Sequence, residues 1–356
     1  MNDAGSTHRV EGGQPVRPTP PFSIGVVVEQ RRIHGVVTDL NGEIVRVSRQ
    51  SGQVETPGQH PGVRALDDTH PDSVVSGIAE LVTALRSLHA DLEEQFLGIG
   101  ISVGGHVNGR AGEVMRSPQL GWETPVPLAN LLRLATGLNT VVVENDVNAL
   151  AMGALFFGDV TPSTPREDDV EAPSTFAVVS LRTGIGVGLV FKAELYRGVS
   201  GGAGELGHFP IVKAGQQCIC GKRGCLETIA GGAAILRALN ARRGGNEIKT
   251  VGDAAALVEQ GDQAAHDAFA AAGDALGRGL AGLVNLLNLP LVILCGEPAM
   301  LTCEPYISHV RLAFEHEAFS TTASDCSLRL ELRTRQLEAR GAASIVFEDL
   351  ADHPSG

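Results

Sequence analysis

From Phe22 onward the chain alternates short apolar runs with stretches of helical period. SIGVVVEQ (23–30), RIHGVVTDL (32–40) and EIVRVSRQ (43–50) predict three strands, with Asn41-Gly42 marking a hairpin turn. Val74, Ile78, Leu81, Val82, Leu85 and Leu88 recur at helical spacing and predict a helix over Pro71–Leu92. FLGIGISV (96–103) and Asn139–Val143 predict buried strands, the second running straight into Glu144-Asn145-Asp146. VNALAMGALFFG (147–158) predicts a helix closed by Gly158, followed by a proline-rich acidic loop over 161–174. The strand pattern then restarts with TFAVVSL (175–181), GVGLVF (186–191) and AELYRG (193–198). Residues 253–287 are alanine-rich and predicted helical, 291–296 (LVILCG) a strand, and 337–350 a closing helix. A three-strand opening near 22 that recurs near 175 predicts two similar α/β halves with a ligand cleft between them. Residues 1–21, rich in Gly, Pro, Ser and Thr, predict a disordered tail.

Composition narrows the class. The 356 residues are 43% apolar and 19% charged, enough for a large core, with a formal charge of −13. Such an acidic chain is a poor general binder of phosphate backbones. The longest apolar run, 279–296, is broken by Asn285, Asn288 and Pro290, so it predicts a buried helix and strand, not a membrane span. The N-terminus has no apolar signal core. Three of the six cysteines are clustered, while Cys295, Cys303 and Cys326 are scattered singles. That usage predicts a reducing, cytoplasmic setting with a metal site in place of a disulfide framework.

Three motifs carry chemistry. His208, Cys218, Cys220 and Cys225, spaced H-x9-C-x-C-x4-C, have the residue types of a closed structural zinc site; the bland alternative is a few buried thiols near an unrelated histidine. Glu205 and Glu227 flank the cluster as spare carboxylates. Glu144-Asn145-Asp146 lies past the carboxyl end of a strand, where open α/β sheets bind ligands. Asp146 there could take a proton from a hydroxyl, or the pair could simply cap the next helix. Thr183-Gly-Ile-Gly-Val-Gly188 could cradle phosphate or be a plain tight hairpin.

VVVENDVNALA (141–151), GVSGGAGELGHFPI (198–211), CICGKRGCLET (218–228) and GLAGLVNLLNLPLVIL (279–294) together resemble the ROK family (repressor, open reading frame, kinase) of the actin-like/sugar-kinase superfamily. The resemblance implies an α/β fold of two actin-like, ribonuclease H-like lobes with the zinc knot as an insertion. It sets an N-terminal lobe at 22–143, closed by the C-terminal helix at about 337–352, and a C-terminal lobe at 144–336 with the knot at 208–225. It makes Asp146 the base of a sugar kinase, and Asn145, Asp146, Glu205, His208 and Glu227 the groups that hold sugar hydroxyls. His208 also ligates zinc in this scheme, Gly105 supplies backbone near the sugar, and Gln119 stands where asparagine is frequent. The implied partners are a sugar or sugar phosphate and further copies of the chain, as dimer or tetramer.

The chain departs from the kinases of that family at the nucleotide end. Where they have Asp-x-Gly-Gly-Thr, this sequence reads Val27-Val28-Glu29-Gln30-Arg31. Glu29 is expected to set a negative charge beside a triphosphate. Arg182 replaces a glycine ahead of the nucleotide-facing Thr183, Gly184 and Gly186, and Cys295-Gly296-Glu297 replaces a glycine run. Phe156-Phe157-Gly158 and Leu195–Gly198 also resemble the regulator branch. The expectation is therefore a sugar-sensing, regulator-like protein that does not transfer phosphate. The alternative is a hexose or N-acetylhexosamine kinase that uses ATP-Mg2+ with Asp146 as base. Regulators of the family carry an N-terminal winged helix; residues 1–21 are too few for one, so no DNA-binding domain is expected in this stretch.

Overall fold

The computed structural model describes residues 20–45, 62–158, 174–245, 247–332 and 334–352. Its strands run β1 (Phe22–Glu29), β2 (Arg32–Asp39), β3 (Val63–Ala65), β4 (Phe96–Val103), β5 (His106–Asn108), β6 (Glu113–Arg116), β7 (Val141–Asn145), β8 (Phe176–Leu181), β9 (Ile185–Phe191), β10 (Glu194–Leu195), β11 (Leu291–Gly296) and β12 (Ser327–Leu332). The helices are α1 (Pro71–Leu88), α2 (Leu128–Thr136), α3 (Asp146–Phe157), α4 (Glu227–Ala230), α5 (Gly232–Arg243), α6 (Val251–Glu259), α7 (Gln263–Leu287), α8 (Pro298–Leu301), α9 (Glu304–Glu317), α10 (Thr322–Asp325) and α11 (Arg335–Asp352).

Two mixed sheets carry the chain. The first has the order β3-β2-β1-β4-β7 and the second β10-β9-β8-β11-β12. In each, the opening strand pairs antiparallel with the next one in sequence and parallel with a later one that follows a helical crossover. The recurrence near 22 and 175 is thus a recurrence of strand order and sense. Both central strands are buried along nearly their whole length, as are β4 and β11, because helices cover both faces. Each fully buried Val, Ile or Leu contributes about 1.5–3 kcal/mol, so continuous apolar runs such as LVILCG favour this central position.

The closing helix α11 belongs spatially to the first sheet. Ala339, Ala342 and Ala343 are fully buried, and Ser23 Oγ donates to the Ala343 carbonyl at 2.9 Å. A Cβ at Gly25 would lie 1.7 Å from the Ala339 carbonyl oxygen, and one at Gly100 1.8 Å from that of Ala342. These two strand glycines therefore set how closely the helix seats on β1 and β4.

Three elements differ from the sequence expectation, and of the strand expected over 193–198 only β10 forms. Of the expected strand 43–50, Ile44 makes a single bridge to Thr38, and residues 46–61 lie outside those described; β3 at 63–65 is the third strand of the sheet. The helix expected to reach Leu92 stops at Leu88, where the His89 ring bonds the Leu85 carbonyl and a short 3₁₀ turn follows. No described helix is long and apolar enough to cross a membrane.

Candidate ligand cleft and metal cluster

β7 ends at Asn145 and α3 begins at Asp146, so the pair sits at the carboxyl edge of a parallel strand. Both readings of Asn145 hold at once. Its Oδ1 accepts from the Val147 and Asn148 amides (2.9 and 3.2 Å), which caps α3. Its Nδ2 donates to the Gly105 carbonyl at 2.8 Å and to Asp146 Oδ1 at 3.1 Å, which ties the helix start to the loop after β4. Arg182, from the β8–β9 turn, approaches Asp146 Oδ2 to 3.8 Å.

Glu205 and His208 occupy a 3₁₀ turn. Gly204 precedes it at φ +80°, and a Cβ there would lie 1.9 Å from the Val187 carbonyl oxygen. Only glycine fits, and the turn consequently lies flat on β9 with Glu205 and His208 side by side. His208 Nε2 is 3.8 Å from Glu205 Oε2. Burial pushes the Glu205 carboxyl up, the His208 and His106 charges oppose this, and Glu227 and Asp146 add to it.

Glu227 opens α4, and its Oε2 accepts from the Ile185 amide at 3.2 Å. The glycines of the β8–β9 hairpin make room for this. A Cβ at Gly184 would lie 2.2 Å from Glu227 Oε2, and one at Gly186 2.6 Å from Val147 Cγ2. Arg182 and Thr183 offer their carbonyls to the Gly232 and Ala233 amides of α5, at 2.8 and 3.2 Å. In this conformation Gly184 and Gly186 serve close packing of the cleft wall.

The other face of His208 meets the cysteines. His208 Nδ1 is 3.3 Å from Cys218 Sγ, and Cys220 Sγ is 3.6 Å from Cys225 Sγ. One donor atom from each of the four residues falls within 4.8 Å of the others. A tetrahedral site with Zn–S bonds of ~2.3 Å has S···S edges of ~3.8 Å, so the donor set and its span fit a four-coordinate ion. Burial, then the neighbouring thiols, push the Cys225 thiol up to about 12, so a cation bound there would have to displace its proton. The loop is held by backbone bonds between Cys218 N and the Lys222 carbonyl (2.8 Å) and between Leu226 N and the Phe209 carbonyl (3.0 Å). The Cys/His cluster and the cleft therefore share one imidazole, Nδ1 toward sulfur and Nε2 toward Glu205.

The cleft has two connected chambers. The first, about 500 Å³, is lined by Gly105, Asn145, Asp146, Glu205, His208 and Glu227, so the six residues that the resemblance assigned to the sugar meet there. The second, about 690 Å³, opens between the β1–β2 turn, the β8–β9 turn and the start of α5. Gln119, Arg182, Gly184, Ile219 and Glu227 line both. At the second chamber the expected lone charge of Glu29 is not alone. Glu29 Oε1 lies 2.8 Å from Arg335 Nε and 3.8 Å from Arg182 Nη2, with His34 Nε2 3.3 Å from Oε2. Burial acts to raise its pKa, but hydrogen bonds and charge from His34 and Arg335 hold it at about 2.

Sequence reasoning missed two groups. His106, directly after the glycine pair that ends β4, lines the first chamber and bonds the Ser200 carbonyl at 2.9 Å. Its place beyond a parallel strand was the available signal. Arg197 lies between Glu144 (Nε to Oε2, 2.6 Å) and Glu348 (Nη2 to Oε2, 2.7 Å), and sequence spacing gives no hint of this pairing.

Comparison with known proteins places this geometry. The ROK family model matches residues 24–349. The chain belongs to the ROK family. A xylose repressor of Bacillus subtilis is 27% identical over 332 residues, covering 93% of this chain and 78% of the repressor. A glucokinase of Halalkalibacterium halodurans is 29% identical over 272 residues, covering 72% of this chain and 78% of the kinase. The crystal structure of a ROK family transcriptional regulator, a homologue of the Escherichia coli MLC protein, superposes with a TM-score of 0.73 at 23% identity, covering 92% of this chain and 78% of that one. Repressors and kinases thus stand at similar distance, and the α/β architecture with mixed sheets is common to the family.

Proposed function

We propose that this ROK protein is a sugar sensor of the regulator-like branch that does not transfer phosphate. The carrying observation is the β1–β2 connection. Glu29 pairs with Arg32 across a two-residue turn that bears the side chains of Gln30 and Arg31, and Val27 is a strand residue only 2% exposed. Family kinases are expected to have a carboxylate and two glycines at this place. Phosphoryl transfer depends on positioning and neutralising the phosphates, and a turn whose one carboxylate, Glu29, is engaged by Arg335 and His34, and whose backbone carries side chains, would lack the main requirement.

The first chamber suits a polyhydroxyl ligand. Asp146 and Glu227 offer acceptors, Asn145 fixes the Asp146 side chain, and Glu205, beside His208, offers a further carboxyl group to a hydroxyl. His208 Nε2 would donate to the ligand or to Glu205, while Nδ1 and the three cysteines would hold zinc as a structural ion. Residues 22–143 with the closing helix from about 337 would form one lobe and 144–336 the other. Ligand contacts made from both sides would favour the closed arrangement.

The xylose repressor relative favours this reading, and the glucokinase relative favours a second one. In that reading Asp146, at the cleft end of α3, is the base of an ATP-Mg2+-dependent hexose kinase. Asp146→Asn separates the two. As a sensor, the variant is expected to bind hexose about tenfold more weakly, the loss of one charge-assisted hydrogen bond, with no turnover before or after the change. ATP-dependent phosphorylation of a hexose by the unaltered chain, abolished by Asp146→Asn, sinks the sensor reading.

A further inference from the structure

β5 and β6 form an antiparallel hairpin on which His106 and Arg116 are direct cross-strand partners. Both side chains line the first chamber, and each donates to a main-chain carbonyl from the second half of the chain. His106 Nε2 lies 2.9 Å from the Ser200 carbonyl oxygen; a carbonyl only accepts, so this nitrogen carries a proton. Arg116 Nη1 donates to the Ile219 carbonyl at 3.4 Å, while its Nε donates to Glu123 Oε2 at 2.8 Å. Two neighbours on one hairpin thus hold two separate loops, 198–203 ahead of Glu205 and 218–220 among the cysteines. The first of these loops is glycine-rich, with Gly198 and Gly201 at φ +70° and +79° and Val199 96% exposed. Its ends are fixed, at Arg197 by Glu144 and Glu348 and at Gly204 by β9. Its middle rests on the hairpin, where a Cβ at Gly201 would lie only 1.8 Å from the Val107 carbonyl oxygen.

We propose that the β5–β6 hairpin is a latch on the first chamber, with His106 and Arg116 as positioning residues that hold the two loops over a bound sugar. The proposal rests on the reading of that chamber as a sugar site. Gly201, Gly202, Ala203, Ile219 and Cys220 belong to its wall, so loosening either loop opens the wall. Both latch bonds are exposed, so water competes for them and they part more readily than the buried bonds of the sheets. Glu123 holds the Arg116 guanidinium by Nε and leaves Nη1 for Ile219. Entry and release of the ligand then require only that the two side chains let go of their carbonyls, while Arg197 and Gly204 keep the ends of the glycine-rich loop in place.

The test is hydrogen–deuterium exchange of the ligand-free full chain, read by mass spectrometry at two places. The Ala203 amide, bonded to the Arg197 carbonyl at 3.3 Å, reports the first loop; the Cys218 and Gly221 amides, bonded to the Lys222 and Cys218 carbonyls at 2.8 and 3.0 Å, report the second. His106→Leu is expected to speed exchange at Ala203 about tenfold, and Arg116→Met to do the same at Cys218 and Gly221, with the buried face of α7 unchanged in both. His106→Gln and Arg116→Lys keep a donor and are expected to exchange like the unaltered chain. The second readout is the binding kinetics of a 13C-labelled hexose, from NMR line shapes. In the His106→Leu/Arg116→Met variant the sugar is expected to enter and leave about tenfold faster with its dissociation constant little changed, because a latch sets the barrier and not the groups that hold the ligand. Equal exchange in the variants and the unaltered chain overturns the proposal. So does faster release matched by an equal loss of affinity, which would make the two residues ligand contacts. Exchange is read without sugar, so a failure to bind any hexose sinks the sensor reading and leaves the latch tested, whereas unchanged exchange sinks the latch alone.

Discussion

Glu144 is only 1% exposed and spends both carboxylate oxygens on structure. Oε1 accepts from the Asn145 amide (2.8 Å) and Asn148 Nδ2 (2.9 Å), while Oε2 accepts from Arg197. The residue just before Asn145 and Asp146 thus anchors the start of α3. Arg197 ties this anchor to Glu348 on α11, so the loop that leads to Glu205 is joined to the helix that closes the first sheet. Removing one member of a buried ion network leaves the others uncompensated, at about 3–5 kcal/mol. Arg197→Met is therefore expected to lower stability by that amount in urea unfolding, although it touches no proposed ligand group. Glu29 gives a pH signature. Its folded pKa lies below that of an ordinary glutamate, so its contribution is fully present above the ordinary value and is lost as pH falls toward about 2. Glu29→Gln is expected to flatten the acid limb of the stability curve in that window; an unchanged limb would show that the Arg335 and His34 contacts do not persist in solution.

At the scale of elements, the cysteine loop and the 3₁₀ turn are joined through His208, which sits in the turn with Nδ1 3.3 Å from Cys218 Sγ. Cys220→Ser is expected to lower zinc affinity by at least tenfold and to weaken hexose binding with it. Metal content by atomic emission and hexose calorimetry on the same samples check this, and full hexose affinity in metal-free protein would uncouple the two. How far such elements could be read from sequence depended on the range of their contacts. The β11 strand was legible because six buried positions in a row fit a two-sided sheet, and α3 because a capping Asn145 and a closing Gly158 bracket a run of helix formers. The third strand of the first sheet was not, since Val63–Ala65 is short, exposed and joined through residues outside those described. The site residues were legible wherever a glycine or a metal-ligand pattern surrounds them, as at Gly204–His208. Arg197 and the arginines of the second chamber were not, because they come together only through the packing of separate elements.

Across the whole molecule, two sheets of matching order meet where β7 passes into α3, and the proposed ligand groups gather around that junction: Gly105 after the first sheet's β4, Asn145 at the junction itself, and Glu205, His208 and Glu227 beyond it. A ligand that bridges them draws binding energy from both, which is what a sensor needs to shift between open and closed arrangements. The same geometry serves a kinase only if the second chamber positions a triphosphate for attack. The measurement that separates these most directly is calorimetric titration of a hexose panel into the protein with ATP-Mg2+ already in the cell. A sensor gives a saturable heat for at least one sugar, with the signal returning to baseline after each injection. A baseline that stays displaced in proportion to added hexose is continuous turnover and would contradict the account.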